Sequence, residues 1–479
     1  MILAGKVTGK GPTMAVAARR EFVAELLRGP VALAAAGAVA NFFNLVMNLV
    51  LARVLSTRGY GAVVEQTNIY MVLSVVGLAV LTAVVHRDLG QLDNTRSLRW
   101  GWIRKLRNVI GFSTVGAAVV AIALCKPVAV LLSYPHPFAI AEAAIAASVW
   151  VSVCVERGLL QARRNYLGLA RNVVLEAAFR FVGIVVLAAV GLGVNGAGLG
   201  LVLGLALAGE FARWTAARTP SPGWATGGDQ ARPAAPRPAL AATAVARRTR
   251  DGLIADTSVA LATLAPLAVL QNIDVVIVGW RNPAGVGGYA AISTASKIPV
   301  FIGLAVANYL LAEAARRRQA GESASRALAM ALTIVVAPGL LLAAAGAVAG
   351  HGILAVLFGP KLTAAAPALP VLALAMTALS VTLMFASYLL GAGYRKVVWV
   401  LAVCTPLTVV ALTLANGAIM RTAVAGLLCQ TLAAVLTGAL VVRLLRAGRV
   451  ASRPRPAVGA ELAVPAQPGV PVVQEVMSR

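Results

Sequence analysis

Two basic residues lie deep inside long apolar stretches of the sequence, where a charge is costly. Arg180 falls within the stretch from 171 to 192, and Lys297 falls within the stretch from 287 to 312. A cation near the middle of a bilayer costs about 2.5 to 3.5 kcal/mol on insertion scales, so such a residue is a functional candidate by default. If both residues face one cavity, they can bind an anion there.

A purely structural role, as one partner of an intrahelical ion pair, is a stronger alternative for Arg180 than for Lys297. Glu176 precedes Arg180 by one helical turn, so the two can form an ion pair on one helix face. Lys297 has no carboxylate three or four positions away, and it shares a helix face with Ser293 and, further along, Asn308. This pattern is typical of a stripe that lines water.

Three carboxylates also lie within apolar stretches, and two of them are close to the same predicted outer side. Glu65 shares a helix face with Asn68, and Asp274 shares one with Gln271. Glu142 near the start of a third stretch is a weaker candidate of the same kind. Each can bind a coupling ion, H+ or Na+, although an interfacial carboxylate that reaches water or meets Lys297 explains the pattern equally well.

Amides form a further polar face in the first apolar stretch. Asn41, Asn44 and Asn48 recur at spacings of three and four, so they lie on one helix face. They either line a cavity and contact a polar ligand or hydrogen-bond to a neighbouring helix. Arg53 at the end of this stretch is a second candidate for ligand binding, and anchoring at the membrane interface is the alternative.

Long apolar stretches must position these residues, because the composition excludes an ordinary soluble protein. Apolar residues make up 59% of the chain, charged residues only 12%, and the mean hydropathy is +0.84. We predict an all-α polytopic membrane protein with about twelve transmembrane helices, each about 20 residues long. The predicted spans are 30–52, 60–85, 108–132, 138–160, 171–192, 196–217, 253–279, 287–312, 327–349, 366–390, 397–415 and 422–442.

The basic residues alternate between the two sides of these spans. Of the 42 Lys and Arg residues, 34 lie in the seven segments that share a side with both termini, and six lie in the other six segments. This bias places both termini in the cytoplasm. It also explains the net charge of +25 without nucleic acid as a partner. The excess of Arg over Lys, with abundant Ala, suggests a high-GC bacterium and therefore the bacterial cytoplasmic membrane.

The spans divide into two halves. A segment rich in Pro, Ala and Arg separates six spans from six, and Gly59-Tyr60-Gly61 in the first half matches Gly285-Val286-Gly287 in the second at an offset of 226. Even numbers of spans predict parallel repeats, related by an axis along the membrane normal. The predicted domains are a cytoplasmic segment (1–29), an N-lobe (30–217), a flexible linker (218–252), a C-lobe (253–445) and a disordered tail (446–479).

No cofactor or metal is predicted. The four cysteines are scattered singly, without the spacing of a disulfide framework or a zinc site. The glycine pattern from Gly191 to Gly196 matches a dinucleotide-binding motif, but it lies in a short turn between two predicted spans rather than after a strand. A different glycine pattern, Gly196, Gly200, Gly204 and Ala208, predicts tight packing of the sixth span.

Several segments in order resemble one transporter family. The stretch LARVLSTRGYG (51–61), the stretch from Gln271 to Pro299, the stretch from Ile353 to Ala375, and the turn LLGAGYRK (389–396) are similar to Wzx-like polysaccharide flippases of the multidrug/oligosaccharidyl-lipid/polysaccharide exporter superfamily. The resemblance covers most of residues 30–445.

The resemblance implies two six-helix lobes around a central cavity. It also implies that the protein moves a polyprenyl-diphosphate-linked oligosaccharide from the cytoplasmic to the outer leaflet by alternating access, for cell-envelope polysaccharide assembly. In that role the diphosphate or glycan would contact Arg180, Lys297, Asn41, Asn44, Asn48, Asn308 and Arg53. Glycosyltransferases or a polymerase of the same pathway are implied as partners.

Two other functions stay open. An ion-coupled multidrug exporter of the related toxin-extrusion type would need a carboxylate-lined cavity for organic cations, and two midplane cations disfavour it. A membrane glycosyltransferase or polymerase usually needs a sizeable outer loop, whereas the predicted outer segments are short.

Overall fold

The computed structural model describes residues 30–90, 96–219, 239–319 and 324–451. All regular elements in these ranges are helical. The α-helices are α1 (Pro30–Val54), α2 (Thr57–Gly90), α3 (Arg96–Leu131), α4 (Pro137–Ala162), α5 (Tyr166–Leu187), α6 (Gly193–Arg218), α7 (Ala239–Arg281), α8 (Val286–Ser296), α9 (Ile298–Gln319), α10 (Ser325–Phe358), α11 (Leu369–Gly391), α12 (Val397–Leu414) and α13 (Ile419–Ala451). A π-helical segment (Ala188–Leu192) joins α5 to α6, and a 3-10 helix (Pro360–Ala368) precedes α11.

The predicted all-helical membrane fold in two lobes is confirmed. Eleven stretches of the described residues are long and apolar enough to cross a membrane. One of them, Tyr166–Arg218, has 53 residues, about twice the length that a bilayer requires. It folds back on itself as α5 and α6, so the eleven stretches make twelve crossings.

The bend between α5 and α6 depends on two glycines. Gly191 has φ of 101° and Gly193 has φ of 55°, a region of backbone conformation that favours glycine. Beyond the bend the two helices nearly touch. A Cβ at Gly200 would lie 2.3 Å from the carbonyl carbon of Gly183, and one at Gly204 would lie 2.8 Å from the backbone nitrogen of Arg180. The predicted tight packing of the sixth span is therefore confirmed.

Parts of the predicted segments outside the lobes cannot be compared with structure. Residues 1–29 and 452–479 lie outside the described residues, as does the Pro-rich part of the linker from 220 to 238. The last part of the predicted linker is helical, because α7 begins at Ala239. Likewise α13 continues to Ala451, past the predicted start of the tail.

Helices α1 to α6 form one half of the bundle and α7 to α13 form the other. The halves meet mainly where α2 runs along α7 and α8. Here Gly61 packs against Gly287, since a Cβ on Gly61 would lie 2.8 Å from the backbone nitrogen of Gly287. These two glycines are equivalent in the repeat found in the sequence. Equivalent residues meet at the axis of a parallel repeat, so this contact supports that symmetry.

The two halves are closed against each other on one side of the bundle, where α1 ends at Val54 and α2 begins at Thr57. The buried ring of Tyr60 on α2 lies 6.2 Å from that of Phe358 on α10. Close by, Nη2 of Arg53 donates a hydrogen bond of 2.7 Å to the backbone oxygen of Val356. Aromatic packing and a charge-assisted hydrogen bond therefore hold the lobes together at this side.

Candidate functional site

A central cavity of about 80 Å³ lies between the two halves. Residues from both halves line it, including both of the deep cations found in the sequence, Arg180 from α5 and Lys297 from the junction of α8 and α9. The other polar side chains that line it are Asn44, Asn48, Thr67, Asn68, Tyr70, Gln271, Asn272 and Thr294. The helices thus bring together two charges that are 117 residues apart in sequence.

Arg180 is buried and held from two sides. Its Nη2 donates to the side-chain oxygen of Asn44 on α1, and its Nη1 lies 3.0 Å from Oε1 of Glu176 on the same helix. The ion pair that the spacing allows is therefore present. Its Nε is enclosed by protein and has no hydrogen-bond partner among the described residues.

Glu176 does not neutralise Arg180 alone, because a second arginine shares it. Nη2 of Arg157 on α4 lies 3.2 Å from Oε2 of Glu176, and its Nε donates a bond of 2.6 Å to Oδ1 of Asn172. Nδ2 of Asn172 in turn donates a hydrogen bond of 2.7 Å to the backbone oxygen of Ala208 on α6. Two guanidinium groups and one carboxylate leave an excess of one positive charge beside the cavity.

Lys297 lies where the eighth span is interrupted. Helix α8 ends at Ser296 and α9 begins at Ile298, one residue before Pro299. The ammonium Nζ donates a hydrogen bond of 2.7 Å to Oδ1 of Asn68 on α2 and one of 3.1 Å to Oδ1 of Asn272 on α7. Both acceptors are neutral, and no carboxylate of the described residues lies within 4.0 Å of the ammonium. Asp274 acts on this ammonium electrostatically, but no carboxylate of the described residues is in direct contact with it.

The structure places Asp274 outside the lining of the central cavity. Its Oδ2 accepts hydrogen bonds of 3.1 Å from Tyr289 and 3.3 Å from Ser293, both on α8. Its Oδ1 has no partner among the described residues. Of the two interpretations left open for Asp274, direct contact with Lys297 is not seen, and the carboxylate instead accepts hydroxyl contacts within the second half.

Glu65 is buried in the contact between the halves. Its side chain packs on the backbone of Gly279 on α7, where a Cβ would lie 2.2 Å from its Oε2. No described residue hydrogen-bonds to its Oε1. Glu142 on α4 is not part of that contact, since its Oε2 accepts a bond of 3.1 Å from Gln66, whose amide also donates to the backbone of Ala139.

The amides of α1 divide between two cavities. Asn44 and Asn48 line the central cavity, and Nδ2 of Asn48 donates 2.8 Å to the backbone oxygen of Asn44. Asn41 lines a second, lateral cavity and is not among the residues of the central one. Asn308 is on α9, but its side chain lies outside the part of the structure that is described.

Arg53 lies near the end of α1, away from the central cavity. It lies at the closed ends of the lobes and lines neither of these two cavities. From its position one residue before the end of α1 the side chain reaches the facing end of α10, and contact of Arg53 with a ligand stays a prediction.

The lateral cavity lies between α1 and the junction of α8 with α9 and has a volume of about 410 Å³. It shares Asn44, Asn48, Thr294 and Phe301 with the central cavity. Its remaining lining residues, Asn41 apart, are apolar: Ala38, Phe42, Leu45, Ile298, Ile302, Ala305 and Val306. A polar, cationic space therefore adjoins a large apolar one.

Sequence reasoning missed one charged residue of this site. Arg157 falls near the cation-rich end of its span, and its sequence position groups it with the cations that flank the membrane. The structure instead shows it buried against Glu176. The signal was present, because Glu176, Asn172 and Arg180 lie on adjacent turns of α5 and two arginines can share one buried carboxylate.

Comparisons with known proteins agree with this architecture. No protein-family model matches the chain, and no curated protein matches its sequence. The fold is similar to that of an inward-facing multidrug resistance MATE family transporter of the MOP superfamily, with 13% identity, a TM-score of 0.63, and coverage of 87% of this chain and 99% of the other. It is also similar to the lipid II flippase MurJ in an inward closed conformation, with 8% identity, a TM-score of 0.63, and coverage of 89% and 94%. A MATE transporter of Vibrio cholerae matches with 15% identity, a TM-score of 0.58, and coverage of 87% and 95%. These neighbours are transporters, and the shared feature is the fold.

Proposed function

We propose that this chain is a flippase for a polyprenyl-diphosphate-linked oligosaccharide, which it moves from the cytoplasmic to the outer leaflet by alternating access. One observation carries the proposal: the central cavity with two buried cations opens beside a large apolar cavity. An amphiphile with an anionic head and a hydrocarbon tail matches both spaces at once.

The charges favour an anionic head group. Arg180, Arg157 and Glu176 together carry one excess positive charge, and Lys297 contacts only neutral amide oxygens. A diphosphate accepts hydrogen bonds from guanidinium and ammonium groups and compensates charges that hydrocarbon leaves unsolvated. The amides of Asn44 and Asn48 are suited to the hydroxyl groups of a sugar.

The apolar cavity favours a lipid tail. It runs along α1 from Asn48 to Ala38 and along α9 from Ile298 to Val306, toward the cation-rich ends of both helices. The bias of basic residues assigns those ends to the cytoplasm, so the cavity faces the leaflet in which lipid-linked glycans are assembled. A solved neighbour of the fold is described as a lipid II flippase, which supports a lipid-linked cargo.

Alternating access requires the closed side to open. The contacts of Tyr60 with Phe358 and of Arg53 with Val356 would break in the opposite conformation. Glu65, packed on Gly279 between the lobes, would then meet water, which makes it our first candidate for a coupling proton or sodium ion. Asp274 and Glu142 are further candidates. The pathway implies a bacterial cytoplasmic membrane, cytoplasmic termini, and glycosyltransferases or a polymerase as partners.

Multidrug export is the second candidate, because solved neighbours of equal TM-score are multidrug transporters. The charges of the central cavity argue against organic cations as cargo. Arg180 and Lys297 line it, whereas Glu65, Asp274 and Glu142 do not. A cationic drug would meet positive charge without a carboxylate to pair with.

The experiment compares cells that lack the protein with cells that produce it. We expect a polyprenyl-diphosphate glycan to accumulate on the inner leaflet in the deletion strain, and wild type to relieve the accumulation. Lys297→Ala and Arg180→Ala should fail to relieve it at matched expression. Arg326→Ala, which removes an exposed cation at the start of α10, is the matched control and should behave as wild type.

Two outcomes would contradict the proposal. Normal outer exposure of all lipid-linked glycans in the deletion strain excludes the flippase. Increased sensitivity of that strain to cationic drugs, relieved equally by wild type and Lys297→Ala, would favour drug export instead.

A further inference from the structure

A third cavity, of about 280 Å³, lies on the lipid-facing surface of the first half, away from the central cavity. Helices α3 and α6 form its walls and α4 forms its floor. Its polar side chains are Arg107, Ser152, Glu156, Glu210 and Arg213. The proposed transport function uses none of them.

The floor and the rim of this cavity differ in how their charges are held. On the floor, Nε and Nη2 of Arg107 donate bonds of 2.7 and 2.6 Å to the two carboxylate oxygens of Glu156. At the rim, Arg213 lies 3.5 Å from Glu210, and their side chains are 56% and 75% exposed. The floor pair is held by two short hydrogen bonds, whereas the rim pair is exposed and its contact is longer, so a polar head group can compete for both of its charges.

Two glycines leave the cavity open to hydrocarbon. A Cβ on Gly111 of α3 would meet nothing within 4 Å, and one on Gly209 of α6 would meet only Val153, at 3.4 Å. Neighbouring side chains such as Phe112 and Leu207 are exposed and apolar, as expected of a surface in contact with acyl chains.

The depth of the rim matches that of phospholipid head groups. Glu210 and Arg213 precede the last residue of α6, Arg218, by eight and five residues. At 1.5 Å per residue they lie about 12 and about 8 Å from that helix end, near the boundary between head groups and acyl chains. Basic residues are abundant at this end, which assigns the cavity to the cytoplasmic leaflet.

We propose that this cavity binds a zwitterionic phospholipid with a primary ammonium group, of the phosphatidylethanolamine type. The phosphate contacts Arg213, the ammonium contacts Glu210, and one acyl chain lies in the groove at Gly111 and Gly209. The four charges of the cavity sum to zero, which matches a head group of zero net charge. An anionic lipid would leave Glu210 beside a negative charge, and a choline head group has no N–H to donate to the carboxylate.

Native mass spectrometry of the purified full chain can test this proposal. The protein is given equal amounts of phosphatidylethanolamine, phosphatidylglycerol and phosphatidylcholine of matched acyl chains. We expect retention of the ethanolamine lipid to exceed that of the other two by about two- to fivefold, the range of a partly exposed charge pair. Glu210→Gln should remove the preference for ethanolamine over choline.

A pair of variants on one helix controls for folding. Gly111→Leu fills the groove without a steric clash and should reduce lipid retention, whereas Gly116→Leu, at an equally open position of α3 outside the cavity, should not. Equal retention of the three lipids by wild type, or undiminished retention by Gly111→Leu, would overturn the proposal. Transport is measured separately, so these outcomes do not depend on the flippase assay.

Discussion

Lys297 of the second half donates a hydrogen bond of 2.7 Å across the lobe interface to Asn68 of the first half. The ammonium thus contacts both lobes, through Asn68 and, within its own half, through Asn272. An anion that displaces these two neutral acceptors would change the contact between the lobes. Binding and conformational change can be coupled at this one atom.

Removal of this charge should abolish transport without loss of folding. We expect Lys297→Ala to lower the rate of flipping in proteoliposomes at least about tenfold, because charge-assisted bonds to the diphosphate are lost. Lys297→Arg should keep part of the activity, since it keeps the charge with a different geometry. Flipping by Lys297→Ala at the wild-type rate would exclude this residue from the site.

Loss of the shared carboxylate should destabilise the first half. Glu176→Gln leaves Arg157 and Arg180 buried without their common counterion, so we expect a loss of about 3 to 5 kcal/mol in the free energy of unfolding. Thermal unfolding in detergent measures it. The matched control is Glu210→Gln, which breaks an exposed pair and should cost less than about 1 kcal/mol. Equal stability of the two variants would show that Glu176 does not stabilise the two buried arginines.

Glu65 should be required for coupling and dispensable for folding. Glu65→Gln fits the same space against Gly279 and cannot exchange a proton or bind a cation strongly. We expect it to fold as wild type and to transport at a rate that no longer changes with an imposed proton or sodium gradient. Glu142→Gln, outside the lobe contact, serves for comparison and should respond to the gradient. A gradient response retained by Glu65→Gln would assign coupling elsewhere.

Obstruction of the lateral cavity should distinguish lipid cargo from small soluble cargo. Ala305→Trp places an indole among apolar residues that line this cavity. We expect flipping of a polyprenyl-linked substrate to fall strongly, because the tail loses its space. In a parallel assay, cells that produce the wild-type protein should export a small cationic dye no faster than cells without the protein. Dye efflux blocked by the variant would support drug export.

The contact between α5 and α6 should tolerate no added carbon atom. Gly200→Ala places a Cβ 2.3 Å from the backbone of Gly183, so the helices must separate, and we expect a cost of about 1 to 3 kcal/mol. Gly116→Ala is the control, because a Cβ there meets nothing within 4 Å. Unfolding of both variants at the same temperature would contradict the close approach.

Much of the architecture follows from hydropathy alone. Each predicted span is helical in the structure, because about 20 consecutive apolar residues have few alternatives in a bilayer. Boundaries were harder to predict: α7 begins at Ala239 in a segment that composition assigns to a linker. Helix formation there continues an adjacent span rather than following from apolar residues.

The residues of the candidate site that the sequence predicts are those whose charge is energetically costly inside a membrane. Arg180 and Lys297 stand out because a cation within hydrocarbon needs a reason, and the structure places both at one cavity. Asn68 and Asn272, which hold the ammonium of Lys297, carry no such signal, since a buried amide has many possible partners. Which carboxylate meets which cation depends on helix rotation, and periodicity alone does not determine it.

The hairpin of α5 and α6 sets a mechanical condition on any transport cycle. The backbone of Gly204 lies against the backbone of Arg180, and Gly200 lies against Gly183. The two helices therefore cannot slide along each other. The backbone of Arg180 therefore has a fixed height relative to α6. An anion that remains bound to Arg180 can change its depth in the membrane only as far as α5 and α6 tilt together and the arginine side chain reaches. Movement beyond that distance requires that Arg180 release the anion.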